Sequence, residues 1–147
     1  MLIEVKVKVA RIDDGKTRKV TETYVIDTEF FSEAEYAITD ILNTEQNSHL
    51  VDNFDIVSLR QSTIKEIDEQ SMSEVAHSFM ATLKDVFHEE DGTEKAIKYK
   101  VLLWADNLTE ANSRALALSH QGYDMLIEGI KQVDYIYVNE YERSGES

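Results

Sequence analysis

Hydrophobic and polar positions alternate strictly in "LIEVKVKVAR" near the N-terminus, with Val5, Val7 and Val9 on one side and Glu4, Lys6 and Lys8 on the other. A period of two marks a half-buried strand. An Asp-Gly turn follows at Asp14–Gly15, and Val20–Asp27 reads as a second strand, so the two make a hairpin. The period then changes. Ala34, Ala37, Ile38, Ile41 and Leu42 form an apolar stripe at helical spacing. "FSEAEY" predicts the helix start, with Ser32 as cap, Glu35 reaching back, and Phe31 and Tyr36 as a hydrophobic staple. A third strand is expected near Phe54–Ile67.

The same order returns later in the chain. "DDGKTRKV" at Asp13–Val20 resembles "EDGTEKAI" at Glu90–Ile97, and Gly15 and Gly92 stand 77 positions apart. The same spacing pairs Ser32–Ala34 with Thr109–Ala111, Tyr24–Ile26 with Val101–Leu103, Ile41 with Leu118, Ile56 with Val133 and Leu59 with Ile136. Agreement of turns, caps and apolar positions at one offset predicts an internal duplication. The copies cover about 2–67 and 78–142, joined by a short polar connection at 68–77, in a single domain over 1–147. In the second copy Phe79, Ala81, Leu83 and Phe87 share a strand face interrupted by Asp85. Ile97–Ala105 is a nearly continuous apolar strand, Thr109 caps a helix carrying Ala111, Ala115 and Leu118, and a third strand lies near Val133–Glu142. The fold class expected is α+β: two tandem strand-strand-helix-strand units forming a mixed sheet with helices on one face, the third strand parallel to the second.

Composition narrows the functional classes. The 147 residues are 42% hydrophobic, enough for a core. No cysteine is present, which excludes disulfides, thiolate metal sites and cysteine nucleophiles. The absence of proline excludes proline-rich docking motifs. Apolar runs such as "VLLWA" are too short to span a bilayer, and the N-terminal alternation is unlike a signal peptide, so a cytoplasmic protein with no membrane partner is expected. A net charge of −14 disfavours phosphate backbones, although a local basic patch overrides net charge.

"RKVTETYVIDTEFFSEAEYAI" is similar to the opening half of an uncharacterised family of small proteins from Bacteroidetes and their phages. Lys19, Val20, Thr21, Glu22, Tyr24, Ile26 and Asp27 match its K-V-T-E-x-Y-x-V-D segment, and Phe31–Glu35 match its helix start. "YKVLLWADNLTEA" resembles the corresponding stretch of its second half. These residues are caps and strand positions. The resemblance implies a fold and a bacterial or phage setting, and no reaction.

Candidate chemistry is sparse. The five glycines are scattered, so no phosphate loop is expected, and no nucleophile motif occurs. "HEEDG" at His88–Gly92 could hold a hard cation, but it reads as a hairpin tip. Carboxylate pairs such as Glu33/Glu35 and Glu89/Glu90 sit at helix starts and turns, where ionisation is favoured. No enzyme, metal or cofactor is expected. The candidate binding residues are aromatic and basic: Tyr99 and Trp104 on one strand, Tyr135, Tyr137 and Tyr141 on the last, and Lys6, Lys8 and Arg11 in the first hairpin with Lys16, Arg18 and Lys19 nearby.

Three functions follow from this pattern. The first is a non-catalytic binding protein that self-associates or meets a protein partner. The second is a single-stranded nucleic-acid binder with a replication accessory role, stacking bases on tyrosines. The third is a phage inhibitor of host defence, sequestering a nucleotide or imitating DNA through acids such as Glu33, Glu35, Glu89 and Glu90.

Overall fold

The computed structural model describes residues 1–71, 77–119 and 125–138. Tyr141 and the C-terminal end of the expected last strand lie outside them. The elements run β1 (Leu2–Asp13), β2 (Lys16–Asp27), α1 (Phe31–Asn47), β3 (Val51–Gln61), β4 (Ile64–Ile67), a 3₁₀ turn (Glu69–Ser71), β5 (His77–His88), β6 (Glu94–Ala105), α2 (Leu108–Ser119), β7 (Leu126–Gln132) and β8 (Ile136–Val138). The architecture is α+β, with two four-stranded mixed sheets and a helix on one face of each. Two compact units result: Met1–Ser62 with the segment from Tyr135, and Thr63–Asp134.

The first sheet has the order β3-β1-β2-β8. β1 is antiparallel to both β2 and β3, so β3 runs in the direction of β2 with β1 between them. The hairpin turns through Asp14 and Gly15, both at positive φ (48° and 75°), between the paired residues Asp13 and Lys16. Two consecutive left-handed residues match the twist of the flanking strands, and glycine takes the second without a Cβ penalty. Ile3, Val5, Val7 and Val9 meet Ala34, Ala37, Ile38 and Leu42 of α1 in one core. Burying a side chain such as Leu42 contributes about 1.5–3 kcal/mol.

The second sheet has the order β4-β6-β5-β7, the same arrangement read from its other edge. Its core joins Phe79, Ala81, Leu103 and Ala105 to Ala111 and Ala115 of α2. The loop from His88 to Glu94 is longer than its counterpart. Gly92 sits at φ 86°, and the Thr93 amide and hydroxyl donate to Asp91 Oδ1 (2.9 and 2.6 Å).

Three features differ from the sequence expectation. First, the expected strand Phe54–Ile67 breaks into two, and in the second copy a strand at Leu126–Gln132 precedes the expected Val133–Glu142, of which only Ile136–Val138 is a strand among the described residues. β3 stops at Gln61 and β4 pairs with β6 in the second sheet, while β8 leaves β7 and pairs with β2 in the first. Each sheet therefore gains a short parallel edge strand from the other half of the chain. Second, the register places Ile127 and Ile130 where the first sheet has Ile56 and Leu59, six positions earlier than Val133 and Ile136. Third, the caps move. α1 starts from Phe30, whose carbonyl accepts the Ala34 amide at 3.3 Å with no side-chain cap, so Ser32 lies within the first turn. In α2 the cap is Asn107, not Thr109: its Oδ1 accepts the Glu110 amide at 2.9 Å. Among the described residues no helix is long and apolar enough to cross a membrane.

Candidate binding surfaces on the two sheets

On the first sheet the alternation places Lys6 and Lys8 on the face away from α1. Lys6 pairs with Thr23 and Ser58, Lys8 with Thr21 and Asp55, and Ala10 with Lys19 and Asn53. Ala10 is small and only 2% exposed, so the longer side chains around it enclose a shallow concavity of about 320 Å³. Lys8, Lys19, Thr21, Asn53 and Asp55 rim it. Lys6, Lys8 and Lys19 are exposed and make no ion pair among the described residues. Register also turns Tyr137 to this face, opposite Val25 on β2.

Arg11 belongs elsewhere. It faces α1, where its Nε and Nη2 donate to the two carboxylate oxygens of Glu22 at 2.6 and 2.7 Å. Its Nη1 lies 3.1 Å from Glu45 Oε2 on the helix. The Tyr24 hydroxyl donates to Glu22 Oε1 at 3.0 Å. Burial and then the Glu22 charge push the Tyr24 phenol well above its ordinary range. A guanidinium engaged on two sides is not available to a ligand, so Arg11 is a structural residue.

The aromatic candidates divide. Tyr99 and Trp104 sit on β6 in the second unit, on opposite faces of that strand, whereas Tyr137 sits on β8 and Tyr135 just before it, in the first unit. Within the second unit Tyr99 and Trp104 therefore share no stacking face. Trp104 is 6% exposed because Val101–Ala105 is covered on both faces, and its amide donates to Ser71 Oγ at 2.9 Å. It is a core residue. Tyr135 lies beside the buried Glu4, whose carboxylate accepts from Arg60 Nε at 2.8 Å; burial and then Glu4 raise the Tyr135 phenol.

In the second unit, Lys98 meets Glu128 at 2.8 Å, and that hydrogen bond holds the Glu128 carboxyl below its usual range. His88 Nδ1 lies 3.7 Å from Glu94 Oε1 across the hairpin, and Asp91 is engaged by Thr93, so the "HEEDG" residues serve the turn. Among the described residues no group of three His, Asp or Glu side chains could hold a metal ion. The helix side of the second sheet opens into a cavity of about 640 Å³ at Leu83, Asp85, Phe87 and Tyr99. Sequence reasoning missed it, although Asp85 interrupting an apolar strand face was its visible sign.

No curated protein and no solved structure matches the chain. A family profile does match, over residues 1–141, and it is that of a domain of unknown function, DUF4494. The chain belongs to this family.

Proposed function

We propose that the protein is a non-catalytic binding protein that self-associates through the helix-free face of its first sheet. The observation that carries this reading is charge segregation. On a chain of net charge −14, the exposed Lys6 and Lys8 of β1 and Lys19 of β2 share one sheet face and make no ion pair among the described residues, Asp55 opposite Lys8 included. The matching acidic surface is on the same chain: the outer side of α1 carries Glu33, Glu35 and Asp40 around the exposed Tyr36. A lysine face of one copy against an acidic helix of another is a heterologous contact, steered by complementary charge. The twofold use of one strand-strand-helix-strand plan favours an origin by duplication, and the resemblance to proteins of Bacteroidetes and their phages favours a cytoplasmic setting.

A second reading is single-stranded nucleic-acid binding. The Tyr137 ring on the same sheet face as Lys6 and Lys8 favours it. Light scattering at low and high salt, with fluorescence anisotropy of a labelled oligonucleotide in the same buffers, separates the two. Mass above the monomer at low salt without oligonucleotide binding supports self-association. Tight binding that weakens steeply with salt supports nucleic acid and overturns it.

A further inference from the structure

The geometry points to a second, separate site: the second unit binds a small amphipathic molecule bearing a protonated amine, in the cavity on the helix side of its sheet. The two sheets can be compared row by row. Leu59, Val5, Tyr24 and Ile136 form one row across the first, and Ile130, Ala81, Val101 and Glu66 form the same row across the second. One row further, Val7 and Glu22 correspond to Leu83 and Tyr99. Further still, Val9 corresponds to Asp85 and Arg11 to Phe87.

The first unit fills this region. Arg11, Glu22, Tyr24 and Glu45 close it with ion pairs and hydrogen bonds, and Ile38 and Leu42 pack beneath. Among its described residues the second unit leaves it open. α2 presents Ala115 and Ser119 at the positions of Ile38 and Leu42, so it contributes less volume. What remains is about 640 Å³ with an apolar wall that includes Leu83, Val101, Leu118 and Met125. That size is ordinary for a small-molecule site.

Charge and ring chemistry define the occupant. Asp85 is half-buried on a face otherwise apolar, and neither it nor Glu66 has a hydrogen bond or ion pair among the described residues. A half-buried carboxylate facing a cavity favours a cation in it. Phe87 and Tyr99 line the same cavity, and aromatic rings attract a cation. Among the described residues that line it, Lys65 is the one base against these two acids, so this lining favours an amine over a carboxylate.

Tryptamine is a suitable probe, with indole-3-acetate as its anionic match, followed by amide NMR shifts on the full chain. Tryptamine should shift Lys65, Leu83–Phe87, Tyr99–Val101 and Leu118, and indole-3-acetate should bind at least about fivefold more weakly, the scale of one partly exposed ion pair. Asp85→Asn, which keeps shape, should remove that preference; Leu118→Phe should weaken both ligands by filling space. Equal binding of amine and acid overturns the proposal, as does the absence of shifts at millimolar tryptamine. Shifts at these residues on concentrating the protein alone, with no effect of tryptamine, would give the cavity to a second copy and also overturn it.

Discussion

Arg11 holds Glu22 through two parallel hydrogen bonds, Nε to Oε2 at 2.6 Å and Nη2 to Oε1 at 2.7 Å, with the Tyr24 hydroxyl on the same carboxylate. The corresponding residues of the second sheet are Phe87 and Tyr99. One plan thus carries a closed polar network in one unit and an open apolar recess in the other. Removing Arg11 strands Glu22 and Glu45 against the sheet. Arg11→Met should cost about 2–3 kcal/mol, below a fully buried pair because Arg11 keeps some contact with water. Urea denaturation measures it, and the double change Arg11→Met with Glu22→Gln should recover part of the loss.

Tyr24 makes the first unit sensitive to alkali. Its phenol is raised in the folded state by burial and by Glu22, while in the unfolded chain it titrates near about 10. The protonated form is the one the fold favours, so this stabilisation is complete below pH about 10 and is lost as pH rises above it. Thermal melts through the alkaline range should show a falling limb that Tyr24→Phe flattens. Tyr24→Phe should itself cost about 1 kcal/mol at neutral pH for the hydrogen bond lost.

Glu4 is 4% exposed, and Arg60 supplies its charge-assisted hydrogen bond from a mostly exposed side chain. Arg60→Ala should destabilise by about 1–3 kcal/mol because the buried carboxylate loses its charge-assisted donor and keeps the long Ser62 hydroxyl contact at 3.4 Å. Arg60→Ala with Glu4→Gln should be closer to wild type than Arg60→Ala alone. Chemical denaturation of the three variants decides this.

The helix starts separate residues that look alike in sequence. Asn107→Ala should cost about 1 kcal/mol, since it removes the acceptor of the Glu110 amide. Ser32→Ala and Thr109→Ala should cost only a few tenths of that, because neither side chain caps. A reversed ranking in urea midpoints would contradict the assigned helix starts.

Trp104 is the chain's one tryptophan and is buried on the face of β6 opposite Leu103. Its emission should be blue-shifted and shielded from iodide in the native state, and become accessible in urea. Native quenching as strong as that of free tryptophan would place the ring on the surface.

The fold was legible where a pattern is long. Val5, Val7 and Val9 declare their face over a 12-residue strand, and Gly15 declares its turn. The exchanged strands were not legible. "IKEI" and "IYV" are too short for a period to show, and their pairing is set by the sheet that receives them. Ser32 misled because a serine before "EAE" looks like a cap, yet the helix accepts its first hydrogen bond at Phe30. Of the candidate binding residues, the outward placement of Lys6 and Lys8 could be read from alternation alone. Arg11 and Trp104 could not, because strand period does not reveal whether the other side of a strand is also covered.

The most direct measurement mixes two charge-reversed chains. Lys6→Glu with Lys8→Glu and Lys19→Glu makes one; Glu33→Lys with Glu35→Lys makes the other. Each alone should be monomeric by light scattering at low salt, and each should lose its ability to join the wild type through the altered side only. Mixed, the first chain offers two acidic surfaces and the second two basic ones, so the pair should assemble together as the wild type assembles alone, and both assemblies should dissociate in about 1 M salt, where charges are screened within about 3 Å. Wild-type protein that stays monomeric at every salt concentration, or triple-lysine variant that associates as the wild type does, contradicts the lysine face as the contact surface.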